Sequence, residues 1–288
     1  MIGLFHAFER ERVRFLLVGG QAAILYGAAH FTQDLDLWIR PDPRNLRAFL
    51  RGLAQSRARV HKLTPPLTVR WARRGHGFHF IIPQRRGTPA YLDAMGRPPR
   101  VGSFDASARR SRTLKTPWGV LPVVSIEDLV DLKRTNRPGD YEAVSRLVRI
   151  RLGETQRPSS RLLSWALRNT YRLEDLQAIG ATYGELARKS AAELPSALRA
   201  VLAADEASPS VLAAAGRALD AQMARDLEEG RRYWLPLIRE LRTLRDRGGL
   251  WPEHLPVRAA LRLDPRATNS IRDAASPQAG RRDMPGAL

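Results

Sequence analysis

The sequence predicts an α/β fold with a mixed sheet over residues 1–155 and an all-α region over residues 156–260. Three observations carry that expectation. Short apolar runs, some alternating with polar residues, are interleaved with helix-like periodicity through the first half. Near Arg157-Pro158-Ser159-Ser160 the composition shifts, and residues 161–255 are rich in Ala, Leu and Arg at helical spacing. A length of 288 residues with 43% hydrophobic content allows one large domain or two of ordinary size around a real core.

In order, residues 2–14 read as an amphipathic helix with Leu4, Phe5 and Phe8 apolar. Phe15, Leu16, Leu17 and Val18 form the short apolar run of a doubly buried strand, stopped by Gly19-Gly20. Residues 21–28 hold good helix formers, with Ala22, Leu25, Tyr26 and Ala29 sharing a face. Residues 34–40 alternate, so that Leu35, Leu37 and Ile39 point one way and Asp34, Asp36 and Trp38 the other. Pro41-Asp42-Pro43 breaks the chain before a helix over 45–57 with Leu46, Phe49, Leu50 and Leu53 inward. Two or three strands are expected within 60–82, including 67–71 and 77–82, and others at 91–96 and 119–124.

Ser125-Ile126-Glu127-Asp128 resembles a capping box and opens a helix with Leu129, Val130 and Leu132. Asp140 reads as the cap of the helix after it, which shows Tyr141, Val144, Leu147 and Val148 on one side. Beyond it, Leu162, Trp165, Ala166 and Leu173 keep helical spacing, as do Tyr233, Leu237, Ile238, Leu241 and Leu244. The pair Tyr233-Trp234 between arginines can stack on bases, but at helical spacing we read it as packing. The tail, 261–288, lacks an apolar period, above all from Asp264, and reads as disordered.

Charge points to an anionic partner. Lys+Arg number 48 against 29 Asp+Glu, a net charge of +19, and such a field favours nucleotides, RNA or DNA. Residues 109–115 form a strongly basic stretch suited to a nucleic-acid backbone. Cysteine is absent, which excludes a disulfide framework, a thiolate nucleophile and Cys-type zinc sites. His76 and His79 face opposite ways on a strand and are not read as a metal pair. Charges at Glu9, Arg10, Glu11 and Arg12 interrupt the N-terminal apolar residues, so neither a signal peptide nor a membrane span is expected and the cytoplasm is the default compartment.

The chemical clue is the strand at 34–40, where period two sets the Asp34 and Asp36 carboxylates on one face. Side by side they repel, unless a divalent cation such as Mg²⁺ or Mn²⁺ sits between them, as Mg²⁺ does when held by carboxylates and substrate phosphates. Gly19-Gly20 stands where a strand hands over to a helix N-terminus, a place suited to phosphate. A dinucleotide-binding dehydrogenase does not fit, because Gly19-Gly20-Gln21-Ala22-Ala23 lacks the G-x-G-x-x-G fingerprint.

The order hydrophobic strand, Gly19-Gly20, helix, Asp34-Leu35-Asp36-Leu37 resembles the DNA polymerase beta-like nucleotidyltransferase superfamily. More closely it is similar to the bacterial nucleotidyltransferase-like proteins grouped with AbiEii-type toxins, with His30 where Arg is more usual and Thr32 before the acidic pair. The resemblance covers the first half well and the second loosely. It implies a nucleotidyltransferase fold, a nucleoside triphosphate such as ATP as donor, an RNA, tRNA or protein acceptor and a cognate antitoxin partner. Asp34, Asp36 and a third carboxylate would then be catalytic and metal-binding, and Gly19 and Gly20 nucleotide-binding. By the same resemblance the third carboxylate is Asp93, in Tyr91-Leu92-Asp93-Ala94-Met95-Gly96; Asp105, in a less regular context, competes. The spacing Lys133-x-x-x-Arg137-x-x-Asp140 is similar to the later family motif whose Lys and Arg approach the triphosphate, with Gly139 where Lys is usual. A non-catalytic nucleotide- or RNA-binding protein on the same fold is the alternative.

Overall fold

The computed structural model describes residues 1–84, 87–204 and 206–263. The chain runs α1 (Ile2–Arg10), β1 (Phe15–Val18), α2 (Gly19–Leu25), β2 (Asp34–Ile39), α3 (Pro43–Gln55), β3 (Arg59–Val60), α4 (Val69–Arg74), β4 (Gly77–Ile82) and β5 (Ala90–Met95). It continues through α5 (Phe104–Arg110), β6 (Arg112–Thr116), β7 (Gly119–Val123), α6 (Ile126–Lys133) and α7 (Asp140–Gly153). The helical part is α8 (Ser160–Arg168), α9 (Leu173–Ser190), α10 (Ser196–Ala203), α11 (Pro209–Asp246) and α12 (Val257–Leu263). The expected α/β half with a mixed sheet, followed by helices, is what the chain forms. Among the described residues no helix is long and apolar enough to cross a membrane.

The seven strands lie in the order β3-β4-β5-β2-β1-β7-β6. β2 pairs parallel with β5 and β1 parallel with β7, while β1–β2, β3–β4, β4–β5 and β6–β7 are antiparallel. Leu35, Leu37 and Ile39 are buried on the face covered by α1 and α3, as alternation predicts. Beneath them Phe8 stacks on Phe49 with ring centroids 5.1 Å apart. Gly52 on α3 lets α1 come close, since a Cβ there would lie 2.5 Å from the Phe8 ring. On the opposite face Trp38 is buried against Leu16 and Phe104, and its indole N–H donates to the Gly96 carbonyl at 3.2 Å. That leaves Asp34 and Asp36 as the open positions on this face of β2.

Several elements depart from the sequence reading. Residues 67–71, rich in β-formers, do not make a strand. Thr68 caps a helix there, its hydroxyl accepting from the Trp71 N–H, and Gly75 ends it with φ +102. Cap chemistry at both ends of six residues outweighs their β-propensity. The first helix stops at Arg10, because Arg12 takes φ +55 and the Val13 N–H turns back to Phe8. Asp140 does not cap α7; Gly139 holds the N-cap position.

The chain path crosses the expected partition into 1–155 and 156–260 near its end. After α11 the chain returns to the sheet, where Thr64 bridges Trp251 and Arg59 bridges Pro256, and α12 packs on α3. Residues 261–263 belong to α12, and the rest of the tail expected to be disordered, 264–288, lies outside the described residues.

Candidate active site

Asp36 on β2 and Asp93 on β5 are register partners, and Asp93 is in turn the register partner of His79 on β4. Strand alternation sends all three to one face, because Leu35, Leu37, Leu92, Ala94, Phe78 and Phe80 fill the other. The row lines a cavity of about 370 Å³. Gly19, the 132–137 segment after α6, the turn around Pro98-Pro99, and Tyr233, Trp234 and Leu241 of α11 complete its walls.

Close approach of Asp36 and Thr32 dictates the glycine pair. Gly19 has φ +66, and a Cβ there would fall 1.9 Å from Asp36 Oδ2 and 2.6 Å from Asp36 Cβ, so turning the carboxylate does not clear it. A Cβ on Gly20 would lie 2.4 Å from Thr32 Oγ1. The Gly20 N–H donates to Asp36 Oδ2 at 3.2 Å, which commits that amide to the carboxylate.

Asp36 is partly buried, and its pKa is pushed up to about 6. Burial is the largest cause and the neighbouring charge of Asp93 the next; the Gly20 N–H and Lys133 pull the other way. Asp34 adds to the rise from the same face of β2 but does not line the cavity. His79 Nδ1 lies 2.8 Å from Asp93 Oδ1, and both side chains are about a quarter exposed, 26% and 27%.

Opposite the carboxylates stand cations. Lys133 Nζ donates to Asp140 Oδ1 and Arg137 Nε to Asp140 Oδ2, each at 3.1 Å. The Thr135 hydroxyl donates to Asp140 Oδ2 at 2.6 Å. Burial works against the Asp140 charge, yet these three donors outweigh it and hold its pKa below the usual carboxylate range. Asp140, expected as a helix cap, thus acts as the anchor of the two basic residues. A second set reaches across to α11: the buried Asp226 accepts from Arg100, Arg134 and Tyr171. Gly230 on the same helix admits the 135–136 backbone, since a Cβ there would lie 2.9 Å from the Asn136 nitrogen.

The cavity therefore brings together Gly19, Asp36, Asp93, Lys133 and Arg137, and Gly20 and Asp34 do not line it. Asp105 stands apart, at the start of α5, and is taken by Arg14 and Arg40. His30 is exposed and off the cavity. Within the basic stretch 109–115, Arg110 pairs with Asp128 and Arg112 with Glu154.

Two facing carboxylates suit a divalent cation of the Mg²⁺ kind, which is typically held by one or two carboxylates and by substrate phosphates. Burial does most to lift the Asp36 pKa, and the repulsion from Asp93 that adds to it is what such a cation relieves. Among the described residues no group of three or more His, Cys, Asp or Glu side chains is placed to hold a metal ion.

No protein-family model matches the chain, and no curated protein matches it.

Sequence reasoning missed His79, Arg100, Arg134 and the α11 wall. His79 has a usable signal, since it shares strand parity with Gly77 and Ile81 while Phe78, Phe80 and Ile82 face the core. That parity becomes informative only once β4 is known to lie beside β5.

Proposed function

We propose that this chain is a divalent-cation-dependent nucleotidyltransferase that moves a nucleoside monophosphate from a nucleoside triphosphate to an acceptor hydroxyl. The observation that carries the reading is the in-register pair Asp36–Asp93 facing Lys133 and Arg137 across one cavity. Asp36 and Asp93, with Asp34 adding negative charge from behind, would hold Mg²⁺ or Mn²⁺, which when bound neutralises charge on the phosphates. Lys133 supplies a compact charge and Arg137 a fork for phosphate oxygens once they leave Asp140.

In this reading Asp93 takes the proton of the acceptor hydroxyl, and the resulting oxygen attacks the α-phosphorus. A new P–O bond forms there, the bond to the leaving oxygen breaks, and its electron pair departs with pyrophosphate. His79 holds the Asp93 carboxylate in orientation through the 2.8 Å contact. The net charge of +19 favours an RNA acceptor, a tRNA end among them, over a protein hydroxyl. A place in a toxin–antitoxin or phage-defence system, with a cognate antitoxin, extends the same reading.

One observation favours a second reading, a non-catalytic nucleotide- or RNA-binding protein. The Gly20 amide, Asp93, Lys133 and Arg137 each already have a partner within the chain. Incubation with Mg²⁺, each of the four α-³²P-labelled nucleoside triphosphates and total bacterial tRNA separates the two. Label in RNA that is lost in Asp36→Ala supports transfer to RNA; label on protein or a small molecule moves the acceptor. Nucleotide binding without label in any product supports the second reading.

A further inference from the structure

The cavity changes character from one end to the other. At the sheet end it is charged, with Asp36, Asp93 and Lys133. Toward α11 its charges are matched, since Arg100 and Arg134 are held by Asp226, and Arg100 also by Glu229. There the lining is apolar, with Pro98, Pro99, Trp234 and Leu241, and Met95 of β5 and Leu132 of α6 add further apolar lining. A polyphosphate suits the first end and an uncharged planar ring the second.

Trp234 is placed for contact with a ligand more than for packing. The packing position beside it on α11 is Leu237, which is buried, whereas Trp234 is only partly covered. Tyr233 meets Trp234 edge to face with centroids 5.0 Å apart. Its hydroxyl donates to the Arg97 carbonyl at 3.0 Å, next in the chain to Pro98-Pro99. One tether thus holds the indole and the two prolines at the same cavity. Gly75 makes room for that tether, since a Cβ there would lie 2.3 Å from the Tyr233 hydroxyl.

Resting on the nucleotide reading above, we propose that Trp234 is the stacking surface for the nucleobase, so that the helical part of the chain supplies the base site and the sheet supplies the phosphate site. The pair Tyr233-Trp234, taken from sequence as packing, is in this assignment half tether and half platform. Stacking tolerates all four bases, because each has a π-face.

The test compares binding of ATP, GTP, CTP, UTP and inorganic tripolyphosphate to the full chain in Mg²⁺ by titration calorimetry. The wild type should bind at least one nucleotide roughly tenfold or more tighter than tripolyphosphate, the scale of base–aromatic stacking. Trp234→Ala and Trp234→Leu should bring that nucleotide to the tripolyphosphate level, leave tripolyphosphate unchanged, and Trp234→Phe should keep most of the difference. Leu preserves apolar bulk, so a Trp234→Leu protein that still prefers the nucleotide overturns the base site and leaves the nucleotide reading standing. Failure of the wild type to bind either nucleotide or tripolyphosphate overturns the reading on which the proposal rests.

Discussion

On one face of the sheet Phe5, Phe8, Phe15, Phe49 and Phe80 form a chain of ring contacts, with centroids from 5.1 to 6.2 Å apart. On the other face Asp36, Asp93 and His79 stand in a row in the same register. The two sets meet in β4, where Phe80 and His79 are neighbours that differ only in parity. The aromatic face buries apolar area and carries stability. The acidic face holds like charges together, one of them with a pKa near 6, and so costs stability at neutral pH. A strand pair that were only structural would place its acids apart, so the cost marks the face where chemistry is to be sought.

The contrast breaks most visibly with Asp36→Ala. If the acidic face serves transfer, activity should fall by about 10³-fold or more, the scale of losing a preorganised electrostatic contact, with circular dichroism unchanged. Retained turnover removes the carboxylate mechanism. Phe8→Ala acts on the other face and should cost about 3–5 kcal/mol in urea unfolding, because its ring is fully buried between α1 and α3.

Asp36→Asn sharpens the comparison with the opposite sign. The folded pKa, about 6, lies above the unfolded value near 3.9, so the folded chain holds the proton longer. Its stabilising contribution is complete below about pH 4 and disappears as pH rises through 6. At about 1.4 kcal/mol per pKa unit, Asp36→Asn should be more stable than wild type by about 2–3 kcal/mol at pH 8 and equal to it below pH 4. Thermal melts at the two pH values decide it; equal stability at pH 8 means that Asp93 and burial do not strain Asp36. The smallest effect is that of Mg²⁺ on wild type at pH 8. It should raise stability by about 1 kcal/mol when the ion exceeds its Kd several-fold, and Asp36→Asn should gain less.

Much of the first unit was legible, because it is local. Strand β1, the glycine turn, α2 and β2 follow one another within 25 residues, and alternation alone assigns Asp36 its face. Asp93 was legible as a strand residue, but its pairing with Asp36 depends on a parallel register between strands far apart in the chain. The place of His79 beside Asp93 and the ties of Asp226 were out of reach for the same reason, since Asp226 meets Arg100 and Arg134 across 126 and 92 residues. The strand expected at 67–71 failed to a cap that sequence does offer, Thr68 before an apolar turn and Gly75 after it. Lys133, Arg137 and Asp140 were found, but their partnership was not, because a carboxylate at the first position of a helix reads as an N-terminal charge until its donors are seen.

The return of residues 251–263 to the sheet makes the helical part an insertion rather than an appendage. Backbone bonds from Val60 to Leu255 and from His254 to Val60 close the outer edge of β3. During synthesis that edge waits unpaired until some 200 further residues have emerged, so the sheet is finished last at its oldest end. Once closed, the loop formed by the helices is moored at both stems. In the helix that bears Trp234, Pro236, two residues on, has no N–H to donate, so one rung of the ladder is missing beside the cavity.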